Sequence, residues 1–229
     1  MKFLSALLNQ GSGKIGGSVF SNNRGGNYIR AKVAPVQPRS VAQQSGRASL
    51  AALASSWRLL TPAQIAAWNA LASNITLSDS LGNSYTPTGE GLYVGNNRSL
   101  VLNTESIISN APISKPAFPD MVPITPAAAA TADTFVVTTG LTAAPTAQLF
   151  EVSATAMLSA GKTYIGKSQY RYIGSFAAST YASLNIKTAY QTRWGTLTAK
   201  SLIGVKIRIV DVASGFASVA AENTCIVAT

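Results

Sequence analysis

Histidine is missing from this chain of 229 residues, cysteine occurs once, and charged residues make up only 11% of it. Without imidazole there is no Ser-His-Asp or Cys-His nucleophile system and no histidine metal ligand. The lone Cys225 cannot close an internal disulfide, and its apolar C-terminal setting marks it as a buried structural thiol. The eight carboxylates, from Asp79 to Glu222, stand singly, with no spacing that suggests an acid/base pair or a calcium loop. No motif points to a Ser-Lys dyad. No apolar run approaches the roughly 18 residues of a membrane span. The opening MKFLSALL lacks a full apolar h-region and a small-x-small cleavage site, so neither a signal peptide nor a membrane association is expected. These absences together lead us to expect a non-enzyme without cofactor or metal.

Acidic residues are missing from the whole first third. Residues 1–78 carry Lys2, Lys14, Arg24, Arg30, Lys32, Arg39, Arg47 and Arg58 and not one Asp or Glu, a charge of +8 against +2 for the remainder. An arm without a single carboxylate suits a polyanion or an acidic protein surface as partner better than it suits mere solubility. The low charged fraction, against about 25% in an ordinary soluble domain, fits a protein largely covered by partners.

What is present is concentrated between Gly13 and Ala72. Two β-prone runs, Ile15 to Phe20 and Tyr28 to Val33, flank Ser-Asn-Asn-Arg-Gly-Gly, whose residues tolerate positive φ, and read as a β-hairpin. Gly11, Gly13 and Gly16 match GxGxxG, but the preceding strand, following helix and downstream acid of a dinucleotide site are all absent. These glycines are instead expected to let the backbone pass close to another chain. Pro35 and Pro38 exclude a helix before Arg39. Ser40 with Gln43, and Thr61-Pro62-Ala63-Gln64, are capping boxes, the second with proline at the first helical position and Leu60 and Ile65 placed as a staple. Leu50, Leu53, Ala54 and Trp57 share one helical face, and Ile65, Trp68, Ala72 and Ile75 another, which predicts an αα-hairpin packed on itself or on a neighbour. Upstream, Phe3, Leu4, Leu7 and Leu8 give a short amphipathic turn.

Beyond Asn74 the chain is turn-rich through Leu81-Gly82-Asn83. Leu92, Asn96, Leu100 and Asn103 then recur at helical spacing and predict a third helix from Gly89 to Leu102, despite Gly91 and Gly95. Pro112, Pro116, Pro119, Pro123 and Pro126 define an extended connector. Past it the apolar period changes to two, with strands predicted at Thr134 to Gly140, Gln148 to Ala156, Tyr170 to Phe176, Ala182 to Ala189, Leu202 to Val212 and Ser218 to Val227. In GVKIRIVDV, Lys206 and Arg208 should face out and Val205, Ile207 and Ile209 in. The expected fold is α+β: an N-terminal extended arm with a β-hairpin and an αα-hairpin, followed by an all-β immunoglobulin-like sandwich. The expected boundaries are 1–110 for the arm and helical module, 111–126 for the connector and 127–229 for the sandwich.

The run with the Arg24-Gly25-Gly26 turn, Arg30, the Pro35/Pro38 pair, Gln43 with Arg47, Trp57, and Leu60-Thr61-Pro62-Ala63-Gln64 before Trp68 resembles an N-terminal module of poorly characterised proteins encoded by phages and prophages. TGEGLYVGNNRSLVL, with Leu92, Tyr93 and Asn97, resembles the same group. The resemblance implies a component of a phage particle, assembled in the host cytoplasm. Combined with the basic arm, it leads us to expect a capsid-associated structural protein (minor capsid, cement or fibre-base), with a tail or neck component as the alternative. Its partners would be major capsid or tail subunits and further copies of itself. The partner-binding residues would be Lys14, Arg24, Tyr28, Arg30, Lys32, Arg39, Arg47, Trp57 and Trp68. Phe20 and Tyr28 interleaved with arginines leave nucleic-acid contact as a further reading.

Overall fold

The computed structural model describes residues 12–23, 26–34, 36–78, 84–119, 123–141, 147–177 and 182–229. The expectations placed on residues 3–8, Gly11, Arg24, Gly25, Pro35, 81–83 and part of the connector, 120–122, lie outside them. The chain forms two compact units, Met1–Gln44 and Ser45–Thr229. This division falls far from the boundaries expected at 110 and 126, because the helices and the β-rich remainder share one body.

In the first unit, β1 (Gly13–Ile15), β2 (Ser18–Asn23) and β3 (Gly26–Ala31) form an antiparallel sheet in that order. The expected single hairpin is thus a three-stranded meander. Gly16 and Gly17 break the first β-prone run with a two-residue turn, Gly16 at φ 56°. A Cβ on Gly16 would meet nothing within 4 Å. Its left-handed backbone conformation is by itself enough to call for glycine there. The Lys32 N–H closes the sheet on the Gly17 carbonyl at 2.8 Å.

Helix α1 (Val41–Arg58) starts at Ser40, whose hydroxyl accepts from the Gln43 N–H at 3.4 Å. Of its residues only Leu53 is buried. Helix α2 (Pro62–Ser73) has the full capping box: the Gln64 N–H donates to Thr61 Oγ1, and Gln64 Oε1 accepts from the Thr61 N–H. After the short antiparallel pair β4 (Leu77–Ser78) and β5 (Ser84–Tyr85), α3 spans Gly89–Leu102, the bounds read from the sequence. Of the two packings expected for the α1 and α2 pair, on itself or on a neighbour, the second is seen: α2 packs along α3. Trp68, Leu71, Ala72, Ile75, Leu92 and Tyr93 form that core, with Trp57 the contribution of α1. The Trp68 and Tyr93 rings meet edge-on at 5.4 Å, and Trp57 lies 5.4 Å from Tyr93, whose hydroxyl is 2.9 Å from that of Ser56.

The β-rich part has two antiparallel sheets. β6 (Thr125–Ala129), β7 (Thr134–Thr138) and β11 (Ser183–Asn185) run in the order β11-β7-β6. β8 (Gln148–Ala154), β10 (Arg171–Ala177), β12 (Ser201–Asp211) and β13 (Ala221–Ile226) run in the order β10-β8-β12-β13, with β9 (Leu158–Ser159) beside the start of β12. Phe135 and Val137 from one sheet and Phe150, Val152, Ile203, Val205, Ile207 and Ile209 from the other share a single core. Val205, Ile207 and Ile209 point in as expected, while Lys206 and Arg208 face out. Pro126 sits in β6, an edge strand of its sheet, where a missing N–H is tolerated. The strand expected over 182–189 is half helix: Leu184 and Ile186 are buried at strand spacing, then α4 (Lys187–Trp194) turns Tyr190 into the same core and ends at Gly195, φ 84°.

The proline-rich stretch is not a spacer between these layers. Phe118 packs against both cores, Ile124 is buried in the β core, and the Trp68 indole N–H donates to the Ser109 carbonyl at 2.9 Å. Asn97, fully buried on α3, receives the Ile108 N–H on Oδ1 at 2.7 Å and donates to the Ile108 carbonyl at 3.1 Å. Replacing Asn97 with Leu strands both Ile108 groups, each costing about 1–3 kcal/mol. The expected outcome is a urea midpoint lowered accordingly with an unchanged m-value.

Candidate functional site

The register of the first unit sorts its side chains onto two faces. Lys14 pairs with Val19 and Val19 with Arg30, so the two cations flank a valine in one cross-strand row, about 10 Å apart across two strand spacings. Tyr28 pairs with Ser21 two positions along, on the same face. The opposite face carries the rows Gly13–Phe20–Ile29 and Ile15–Ser18–Ala31. Lys14, Arg30, Lys32 and Arg39 are exposed, Tyr28, Phe20 and Ile29 half-buried, and Ile15 is 72% exposed. Among the described residues none before Leu53 is buried. Residues 1–44 contain no carboxylate, so any anionic partner for these cations lies outside the unit.

The structure brings Lys14, Tyr28 and Arg30 onto one surface of the first unit, with Lys32 just past the end of β3; Arg24 lies outside the described residues, and Arg47, Trp57 and Trp68 belong to the second unit. Arg39 leads into α1 with φ 48°, its carbonyl accepting from the Gln44 amide at 3.1 Å, and Arg47 is exposed on α1. Trp57 is half-buried in the aromatic core. Trp68 is 0% exposed, so the expectation that it meets a partner is corrected: it is a core residue whose indole N–H is spent on Ser109.

One constellation in the second unit is not read from the sequence. Glu151, 7% exposed on β8, is held by Arg208 through two bonds of 2.8 Å and by the Asn103 amide at 3.2 Å, while the Tyr172 hydroxyl donates to Asn103 Oδ1 at 3.3 Å. The signal was present as a Glu and an Arg on alternating strands, but their pairing needed the strand register. This cluster joins the end of α3 to the sheet. Every hydrogen-bonding group of the carboxylate is directed at a structural partner.

Burial pushes the Cys225 thiol up to about 11, and Tyr190, raised first by burial and then by the Cys225 charge, is pushed up as well. A thiol in that state is a poor nucleophile at neutral pH. Among the described residues no group of three or more His, Cys, Asp or Glu side chains is placed to hold a metal, and no helix is long and apolar enough to cross a membrane. No family model, curated protein or solved structure matches the chain.

An unfolded thiol ionises near pH about 8.5, below Cys225 in the fold. The contribution of its burial is therefore complete below that pH and is lost as pH rises through about 11. Unfolding free energy should fall across this alkaline window, and Cys225→Ala should flatten part of the fall. At pH 7, iodoacetamide should label the native thiol more than about tenfold more slowly than the urea-unfolded one.

Proposed function

We propose that this chain is a non-enzymatic structural protein of a phage particle, associated with the capsid, which anchors through residues 1–44 and carries the body of residues 45–229 as its displayed part. The observation that carries this reading is the first unit itself: a small sheet with cations on one face, apolar rows on the other, no buried residue among those described, and no acidic residue. Three strands become stable when an apolar face is covered. Acidic, partly apolar surfaces of neighbouring subunits supply both the cover and the countercharge, and β1 and β3, the outer strands of this sheet among the described residues, offer main-chain pairing.

The helices and the proline-rich segment take no separate part in this anchoring, because both belong to the compact body. Within that body we read β6 to β8 and β10 to β13 as an immunoglobulin-like arrangement. Its first, second and fifth strands form one sheet, and its seventh, sixth, third and fourth form the other, with α4 inserted between the fifth and sixth. The fourth strand lies on the opposite sheet from its place in an antibody constant domain. A tail or neck position would use the same anchor.

Tyr28 on the face of Lys14 and Arg30 supports a second reading, contact with nucleic acid. The two separate in one experiment. The triple variant Lys14→Glu, Arg30→Glu, Lys32→Glu should fail to enter particles while melting like wild type, since all three residues are exposed. Free wild-type chain should bind duplex or single-stranded DNA no more tightly than a nonspecific basic protein. Normal incorporation of the variant would defeat the anchoring role, and tight DNA binding with a steep salt slope would transfer the site to the second reading.

A further inference from the structure

The end of α3 meets the outer face of the sheet β10-β8-β12-β13 at Glu151, and from that residue onward the face carries two adjoining clefts. One, of about 570 Å³, lies among Lys162, Tyr164, Tyr170, Glu222, Asn223 and Thr224. The other, of about 370 Å³, starts at Glu151 itself and lies among Ser153, Tyr170, Lys206, Arg208 and Ser218. Tyr170 is common to both. Gly204 makes room for this arrangement, since a Cβ there would stand 2.9 Å from the Tyr170 hydroxyl oxygen and 2.8 Å from Ile165 Cδ1. The segment leading into β10 therefore crosses the sheet where β12 has no side chain.

The charges on this surface are matched. Arg208 is bidentate to Glu151, and the Lys206 ammonium is 4.0 Å from a Glu222 oxygen while standing 6.0 Å from the centre of the Tyr170 ring. Of the charged residues lining the clefts, Lys162 alone lies outside these pairs. Beyond Lys162 an anion would have to break these pairs, whereas a neutral ligand with many hydroxyl groups can bond to the same side chains without disturbing their balance. Tyr164 is 74% exposed at the rim of the larger cleft, a large flat ring offered to solvent beside Thr163 and Thr224. A ring platform flanked by paired charges and short hydroxyl side chains suits the apolar face and polar edge of a pyranose. Both volumes fall within the about 300–1,000 Å³ usual for small-ligand sites.

We propose that this double cleft binds a neutral oligosaccharide, with Tyr164 as the stacking platform in the outer cleft and Tyr170 as the divider between adjacent sugar positions. The site lies wholly within the second unit and does not depend on how the first unit is anchored.

The test uses the full chain and ligand-observed NMR against maltotetraose, cellotetraose, mannotetraose, galactotetraose and tetra-N-acetylchitotetraose, with sialyllactose and a heparin tetrasaccharide as anionic counterparts. At least one neutral tetrasaccharide should bind with a Kd below about 5 mM, weakened no more than twofold by raising salt from about 50 to 500 mM. Tyr164→Ala should weaken it by about tenfold or more, and Tyr164→Phe should retain it. Both variants should melt like wild type, because the ring is exposed. The proposal is overturned if no neutral tetrasaccharide binds at about 10 mM, if Tyr164→Ala leaves the affinity unchanged, or if only the anionic sugars bind with a steep salt dependence.

Discussion

Buried amides on one helix hold the body of this protein together. Asn96, Asn97 and Asn103 of α3 and its C-cap are 6%, 0% and 2% exposed, and each is bonded to another part of the chain. Asn96 donates to the Ser214 carbonyl, Asn97 exchanges two bonds with Ile108, and Asn103 joins Glu151 and Tyr172. A buried amide must be satisfied or the fold loses the full cost of desolvating it. The helix therefore has one tolerable position over the sheet and against the proline-rich segment. That segment pairs with no strand between residues 105 and 119, so the Asn97 side chain gives Ile108 the two bonds a neighbouring strand would have supplied.

Glu151 makes the same demand with a full charge. A carboxylate removed from water is tolerable only with a partner of good geometry and its remaining lone pairs occupied. Arg208, directly opposite in the register, supplies two parallel bonds, and Asn103 supplies a third from the helical layer. The pair contributes orientation more than net stability, because the desolvation of both charges offsets much of their attraction. It also explains why the sheet's outer face changes character along β12: Val210 is buried, Arg208 is engaged by Glu151, and Lys206 reaches the open clefts.

Much of the local structure was legible in the sequence because it is written in short-range chemistry. The capping box at Thr61, the bounds of α3 and the inward alternation of Val205, Ile207 and Ile209 follow from residues within a turn or a strand of one another. What failed needed distant partners or a finer local reading. Gly16-Gly17 is a tight turn inside what reads as one β-prone run, and α4 is an eight-residue helix that inherits its first apolar contacts from a strand. Trp57 and Trp68 looked like facing members of one helix pair, yet Tyr93 of α3 is the ring that both of them meet. Five prolines suggested a free connector, since proline shows where hydrogen bonds cannot form but not where apolar side chains such as Ile124 will be buried.

The contrast between the two units bears on what the first is for. The second unit buries two sets of large apolar side chains and ties them together through amides and an ion pair. The first has 44 residues, near the size below which a chain seldom sustains a core without added ties. It has no disulfide available, no histidine for a metal, and no carboxylate to bridge its cations. These routes by which a small unit ordinarily stabilises itself are closed by composition, and in the proposed function binding to a larger surface takes their place. Such coupling weakens each contact by the entropy of ordering the chain. Many copies on one assembly would restore the strength without demanding a tight single site.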